Sequence, residues 1–322
     1  MFRLYFSVIL VLMGFMDMKA QQKPDPNGSG PEKKQTAVRP SGQPKSLLWE
    51  ISGKDLLQPS YLFGTMHLLC AADAKLSDSL QFSIDQAGEV YFEIDMDNMS
   101  EMMGVFRYIR MKDNKQLSDL LTEAEYQRVK QYFSSNKTML PLGMMERFKP
   151  YFIAAMLSEA QMPCESKNGM EEVIMKAVKQ QQKQIHGLET MEFQASVFDS
   201  IPYETQAREL LRTIDSSGKS DSMTMRMLEV YRNQDLDAIE QLTLQEEGGV
   251  SSFLELFLYG RNKKWIPAME VAMKKQRILF AVGAAHLPGE NGVIHLLRKA
   301  GYTLRPMKHG IQSGHYVKGD KM

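Results

Sequence analysis

Short apolar blocks bounded by turn residues mark both ends of the chain, while apolar positions at helical spacing fill its middle. Leu47-Leu48-Trp49-Glu50-Ile51 reads as a strand, Ser52-Gly53-Lys54 starts a turn, and Ser60-Tyr61-Leu62-Phe63 reads as a second strand ending at Gly64, so a hairpin is expected. A helix from Ser77 burying Leu80, Ile84 and Ala87 then leads to a strand over Glu89-Val90-Tyr91-Phe92-Glu93-Ile94. The long stretch that follows is mostly helical. Thr122-Glu123-Ala124-Glu125 is a capping box, and Pro141-Leu142-Gly143 ends a loop before a helix that aligns Phe148, Phe152 and Met156. Lys183–Leu188 is a short strand in its midst, and further helices are expected over 191–200, 202–214, 222–233, 251–259 and 265–275. Arg277–Val282 closes the pattern as a buried strand, followed by a loop, a helix to Lys299 and a strand over Tyr302–Pro306.

The closing unit repeats the opening one. Each is a strand, Gly-x-x-His, a loop, a helix and a strand: Gly64-Thr65-Met66-His67 near the start, Gly283-Ala284-Ala285-His286 near the end. The expected fold is α/β (α+β), one domain over 46–307, whose mixed β-sheet core comes from these two units with a long, mostly helical insertion between them.

Composition narrows the class. The 322 residues carry 39 basic and 39 acidic side chains, with 43% hydrophobic and 24% charged residues, which is ordinary for a globular chain and gives no basic excess for gripping phosphates. No nucleic-acid partner is expected. Met1-Phe2-Arg3, an apolar run from Leu4 to Met16, and Ala20 before Gln21 form a secretory signal pattern over 1–20, and Asp17 interrupts the run before it reaches a membrane span's length. Cleavage after Ala20 is expected, although Met18 at −3 fits the small-residue rule poorly and leaves the cut open by a few residues. Residues 21–45 hold five of the 13 prolines and read as a disordered tether, and 308–322 as a flexible tail. The expected location is secreted or periplasmic, without an integral membrane span after cleavage. Cys70 and Cys164 are the only cysteines; a disulfide between them and a pair of separate buried thiols are the two readings, and export favours the bridge.

A glycine ending a buried strand lets the chain turn sharply, and a histidine three residues later then enters the crevice beyond the strand ends. His67 and His286 can meet there if their units are neighbours. Glu93 ends the strand expected to pair with the first unit, opposite in parity to Val90, Phe92 and Ile94. Two imidazoles and one carboxylate form a divalent-metal set. The alternative for each histidine alone is a hydrogen-bonded loop residue.

Leu62-Phe63-Gly64-Thr65-Met66-His67, Tyr91-Phe92-Glu93-Ile94-Asp95, Gly187-Leu188-Glu189-Thr190, Gly260-Arg261-Asn262 with Trp265, and Val282–Leu287 follow in the order found in the TraB/GumN family, which the chain resembles over roughly 46–307. That family is similar to the TIKI metalloproteases and more distantly to erythromycin-esterase and ChaN-like proteins. The resemblance implies an exported metal-dependent hydrolase, TIKI-like and acting on a peptide or protein substrate. His67, Glu93 and His286 would hold Mn²⁺, Co²⁺ or Zn²⁺, and Glu189, Arg261 and Asn262 match family motif positions. For Glu189 two readings stand, a general base or partner of the site and a cap on the helix near Met191; Arg261 binds a carboxylate or an oxyanion, or with Asn262 ends a helix. The other function class is a non-catalytic metal- or haem-type ligand-binding protein using the same crevice.

Other patterns fall away on inspection. Asp95-Met96-Asp97-Asn98 begins like a calcium loop but has Ser100 and Phe106 where Gly and Glu belong, and Gly218-Lys219-Ser220 lacks the upstream glycine of a phosphate loop. Gly-x-Ser-x-Gly and His-Glu-x-x-His are absent. The methionines at helical spacing read as core, and His186, His295, His309 and His315 as structural or exposed.

Overall fold

Leu48–Ser52 (β1) and Ser60–Thr65 (β2) form the expected antiparallel hairpin, with Leu48 opposite Phe63 and Ile51 opposite Ser60. The turn between them is made at Gly53, Lys54 and Asp55, all with positive φ. The computed structural model describes residues 45–310 apart from 137, 139, 161, 163, 218–222 and 246–252. The expected signal peptide, the tether up to residue 44, Gly218-Lys219-Ser220, His315 and the tail beyond Gly310 lie outside the described residues.

After β2 the chain makes a two-residue strand, Leu69–Cys70 (β3), then helix α1 (Asp78–Gln86) and strand β4 (Glu89–Ile94). Ser77 caps α1 by accepting from the Leu80 N–H, and Leu80, Ile84 and Ala87 are buried as their spacing required. The middle supplies α2 (Met99–Tyr108), α3 (Glu123–Ser135), α4 (Pro150–Ala160), β5 (Lys167–Asn168), α5 (Met170–Gln180), β6 (Gln184–Glu189), α6 (Met191–Asp199), α7 (Tyr203–Asp215), α8 (Met223–Arg232), α9 (Leu236–Gln245) and α10 (Gly260–Lys275). Strand β7 (Ile278–Gly283), helix α11 (Val293–Lys299) and strand β8 (Thr303–Pro306) close the fold. The capping box at Thr122 and Glu125 opens α3 as expected.

Six strands make one mixed sheet in the order β6-β4-β7-β2-β1-β8, and β3 pairs β5 in a separate antiparallel ribbon. The first four strands run parallel; β1 is antiparallel to both β2 and β8. The two repeated units are therefore neighbours through β2 and β7. The expectation that β4 pairs with the first unit is corrected: β7 lies between β2 and β4. All six residues of β7 are buried, so the interior slot between two parallel strands is where its uninterrupted apolar run is best used.

Each face of the sheet carries helices. Val90, Phe92, Ile94, Leu279 and Ala281 pack with Leu80, Ile84, Ile174 and Val178 on one side, while Leu62, Phe280 and Val282 pack with Trp265, Met269, Val293 and Leu297 on the other. Each such side chain, fully buried, stabilises the fold by about 1.5–3 kcal/mol relative to exposure.

Three local readings are revised. Phe148 is not on a helix with Phe152 and Met156: the chain makes one turn over Leu142–Met145, bridges Phe148 to Arg110, and starts α4 only at Pro150, whose fixed φ and missing N–H suit a first helical position. Of the expected helix over 251–259, residues 251 and 252 lie outside the described residues; its described part joins the one expected over 265–275 across Gly260, since a π-helical turn over Glu255–Tyr259 runs directly into α10, which carries Pro267 inside it. His309, within the expected tail, is buried against Phe63 and bonded to Ser77 Oγ through Nδ1 at 2.5 Å.

Candidate active site

The carboxyl ends of β2, β4, β6 and β7 meet the first turn of α10, and His67, Glu93, Glu189, Arg261, Asn262 and His286 lie at that junction. Gly64 and Thr65 stand opposite Val282 and Gly283, so the two Gly-x-x-His turns leave the sheet side by side. A Cβ placed on Gly283 would lie 3.1 Å from Glu93 Oε1, 3.5 Å from His286 Cδ2 and 3.8 Å from His67 Nε2. His67, Glu93 and His286 therefore surround one point, the space left by a missing side chain.

Both imidazoles are held from behind. His286 Nδ1 is 2.6 Å from Asn262 Oδ1, and the amide nitrogen of Asn262 donates to the carbonyls of His286 at 3.2 Å and Asn291 at 2.8 Å. That fixes the amide oxygen as acceptor, so His286 carries its proton on Nδ1 and leaves Nε2 with a lone pair. His67 Nδ1 and Glu171 Oε1 form a buried ion-pair contact at 2.5 Å without hydrogen-bond geometry, and His67 Nε2 lies toward the shared point. The bonded Nδ1 of His286 is the usual arrangement of a metal-ligating histidine.

Arg261 ties the acidic groups together. Its Nη2 donates to Glu93 Oε2 at 2.6 Å and also to Glu189 Oε1; its Nε lies 2.9 Å from Glu189 Oε1, and its Nη1 donates to the Phe257 carbonyl at 2.9 Å. Nη1 is also 3.3 Å from His286 Nε2, which can only be the acceptor there. Trp265 is one helical turn beyond Arg261; its ring lies 4.9 Å from the guanidinium carbon and 4.5 Å from the His286 ring, and its Nε1 donates to Glu189 Oε2 at 3.1 Å. Gln194 on α6 donates to Glu93 Oε2 at 3.1 Å and Glu189 Oε1 at 3.3 Å.

These contacts settle two structural alternatives. Thr190, not Glu189, caps α6 by accepting from the Phe193 N–H, and both Glu189 oxygens are spent on Arg261, Trp265 and Gln194. Arg261 and Asn262 do not end a helix; they follow the π turn inside a continuous helical run and are 1% exposed.

Electrostatics follow from burial against pairing. Burial pushes the Glu93 carboxyl up, but Arg261, both imidazoles and the Gly283 N–H, donating to Oε1 at 2.8 Å, overrule it and hold the group at about 2. Burial, helped by Arg261 and His67 against the pull of Glu93, lowers His286 to about 3 and keeps it neutral. Burial lowers His67 too, but Glu171 and Glu93 more than compensate and raise it. Burial raises Glu189 despite Arg261.

Among the described residues no group of three or more His, Cys, Asp and Glu side chains is arranged to hold a metal ion, and the Arg261 guanidinium is bonded to Glu93 and His286. The donor chemistry nevertheless fits a divalent ion. Glu93, Glu171 and Glu189 are three buried or nearly buried carboxylates beside a single buried guanidinium, so the cluster holds more acidic than permanently cationic groups. Such an excess is costly in a protein interior unless a cation offsets it.

A model of the TraB/PrgY/gumN family matches residues 47–306. The chain belongs to that family. Curated relatives include Metalloprotease TIKI1 of Danio rerio, 23% identical over 82% of this chain and 64% of the relative, and Metalloprotease TIKI1 of Homo sapiens, 24% identical over 80% and 61%. Metalloprotease TIKI homolog of Amphimedon queenslandica is 23% identical over 80% of this chain and 61% of its own length. The chain thus spans somewhat under two thirds of these relatives. No solved structure matches it.

Sequence reasoning did not single out Glu171 or Gln194. Glu171 looks like one of two acids, Glu171-Glu172, favouring a helix N-terminus, and Gln194 like a polar residue on a helix; neither carries a motif. Cys70 and Cys164 are joined, with Cα atoms 5.7 Å apart. No helix among the described residues is long and apolar enough to cross a membrane.

Proposed function

We propose that this family member is an exported, metal-dependent hydrolase of peptide bonds, with His67, Glu93 and His286 as ligands of one divalent ion (Mn²⁺, Co²⁺ or Zn²⁺). The observation that carries this reading is the convergence of all three side chains within 3.8 Å of the vacant Cβ position of Gly283. The names of the TIKI relatives support the reaction class. A divalent ion bound there would polarise a scissile carbonyl and acidify a water.

The protein's own groups have separable tasks. Asn262 holds the His286 proton on Nδ1, so that its Nε2, now facing Arg261, is the ligating atom, and Glu171 packs against His67 with Nε2 toward the shared point. Glu93 is the anionic ligand, oriented by the Gly283 N–H and Gln194. Arg261 is the buried cation that balances Glu93 and Glu189, and Glu189 with Trp265 holds its fork in place, a positioning task that engages both Glu189 oxygens. An alternative, binding a metal or haem-type ligand without turnover, is favoured by one feature, the hold of Arg261 on Glu93 and His286.

Incubation of the purified protein with a peptide library and each metal, read by mass spectrometry, separates them. Metal-dependent cleavage that disappears in His67→Ala, His286→Ala and Glu93→Gln supports the hydrolase; tight metal binding without cleavage of any peptide supports the binding protein. Export is checked on protein recovered from its host, whose N-terminus should lie near Gln21. An intact Met1 on cytosolic protein would overturn that part.

A further inference from the structure

The two histidines are held by unlike partners, and the partner of His67 is brought to it by a dedicated piece of structure. Two residues beyond His67, β3 pairs with β5, Leu69 opposite Asn168 and Cys70 opposite Lys167. The Ala71 N–H extends this ribbon to the Ser166 carbonyl at 2.9 Å, the Met170 N–H donates to the Met66 carbonyl at 3.0 Å, and the Cys70–Cys164 bridge staples the far end. At the near end a Cβ on Gly169 would stand 2.7 Å from the His67 carbonyl oxygen, so the two backbones approach as closely as glycine alone allows. All of these contacts deliver one side chain. Glu171, in the first turn of α5, reaches His67 Nδ1 with its side chain 3% exposed.

A helix N-terminus does not require this. Glu172, next to it in the same turn, is half-exposed and already offers an acid to the helix dipole, whereas burying Glu171 carries a desolvation cost that a dipole contact at the surface would avoid. Its contact with His67 is the interaction that offsets that cost.

We propose that Glu171 is the positioning residue of His67, holding the Nδ1 side of the ring by its buried ion-pair contact so that Nε2 stays toward Glu93 and Gly283, and that the Cys70–Cys164 bridge with the β3–β5 ribbon is the clamp that keeps it there. The His67 arm of the proposed site is then stapled covalently to the segment that carries Glu171, and opening the staple loosens that arm before it unfolds the sheet. This rests on the reading of His67 as a ligand only for its consequence, metal affinity; the positioning itself is a property of the metal-free protein.

The test uses the full chain and two readouts. In metal-free protein at a pH high enough for the ring to be neutral, nitrogen NMR of the His67 imidazole should report a proton on Nδ1, beside the Glu171 carboxylate; Glu171→Gln should shift the ring toward a mixture of tautomers, Glu171→Asp should restore part of the order, and Glu172→Gln should change nothing. Calorimetry with Co²⁺ should show Glu171→Gln weakening binding by about 10–100-fold, and mild reduction of the bridge weakening it in the same direction while circular dichroism stays native. Wild-type tautomer and wild-type affinity in Glu171→Gln would overturn the positioning, and affinity indifferent to a reduced but folded bridge would overturn the clamp. Should Glu171→Gln fail to fold, Glu171→Asp and the reduced protein decide the question. If the unaltered protein binds no Co²⁺, Mn²⁺ or Zn²⁺, the proposed function fails while the imidazole signal still decides the role of Glu171.

Discussion

Gly283 has φ −51° and ψ 136°, values any residue adopts, so backbone freedom does not demand glycine there. A β-carbon would be tight only against Glu93 Oε1, at 3.1 Å, with His286 and His67 at ordinary contact distances. Gly283→Ala is therefore expected to cost only about 1–3 kcal/mol of stability as overpacking, yet to lower metal affinity at least tenfold because the methyl group stands at the ligand point. Calorimetry with Co²⁺ beside a thermal melt checks both halves. Affinity equal to the wild type would place any bound ion elsewhere. At this scale the sequence showed His67, Glu93 and His286 through the repeated Gly-x-x-His and the strand parity of Glu93, while the family blocks pointed to Arg261, Asn262 and Glu189. Glu171 and Gln194 stayed hidden because their contacts with His67 and Glu93 cross from one element to another and leave no periodicity or spacing to read.

Period-2 and helical spacing placed the main strands within a residue of their observed limits, since each of those elements buries a face of its own. The β3–β5 ribbon was not legible, because two-residue strands have no alternation, and the π turn was not, because it keeps the apolar spacing of an ordinary helix end. That turn has a function in the fold. The Gly260 N–H bonds the Glu255 carbonyl five residues back, and a Cβ on Gly260 would lie 2.7 Å from that same oxygen. Gly260→Ala should straighten the turn, destabilise the protein by about 1–3 kcal/mol, and swing Arg261 off Trp265; a near-ultraviolet dichroism band from Trp265 that does not change would refute this. A second element-scale prediction concerns the segment after β8, tied to the N-terminus of α1 by His309 and Ser77. Burial lowers His309 to about 4 from its ordinary 6.5, so the unfolded chain takes up a proton that the folded one refuses. The neutral form's contribution is complete above pH 6.5 and falls as the pH drops toward 4, by up to about 3 kcal/mol. In His309→Gln that portion of the acid-induced loss of stability should vanish; an identical pH profile for variant and wild type would show that His309 is not the group responsible.

The sheet joins strands from both ends of the chain to strands from its middle, and the candidate site lies where these parts touch: His67 follows β2, His286 follows β7, and Glu93 comes from β4. Adjacency of the two ends was readable from their repetition. The insertion of β7 between β2 and β4 was not, because a parallel strand buried on both faces is equally suited to any interior slot. This order has an energetic consequence. It sets the Gly283 N–H on Glu93 and makes the ligand set a product of the whole fold, absent from any fragment and from the unfolded chain. A ligand that binds only the folded state stabilises it by mass action, about 2.7 kcal/mol at a hundred times its dissociation constant. For a domain this large that should raise the melting temperature by roughly 5–10 °C, reversibly on adding a chelator, and in proportion to the logarithm of metal concentration. His286→Ala should melt without any metal-dependent rise, since Asn262 and Trp265 would then face an empty position. An ion bound at some peripheral group would give a rise that survives His286→Ala. No rise with Mn²⁺, Co²⁺ or Zn²⁺ in the bridged, unaltered protein would mean that Arg261 alone balances the buried acids and that the three side chains meet around Gly283 without sharing a metal.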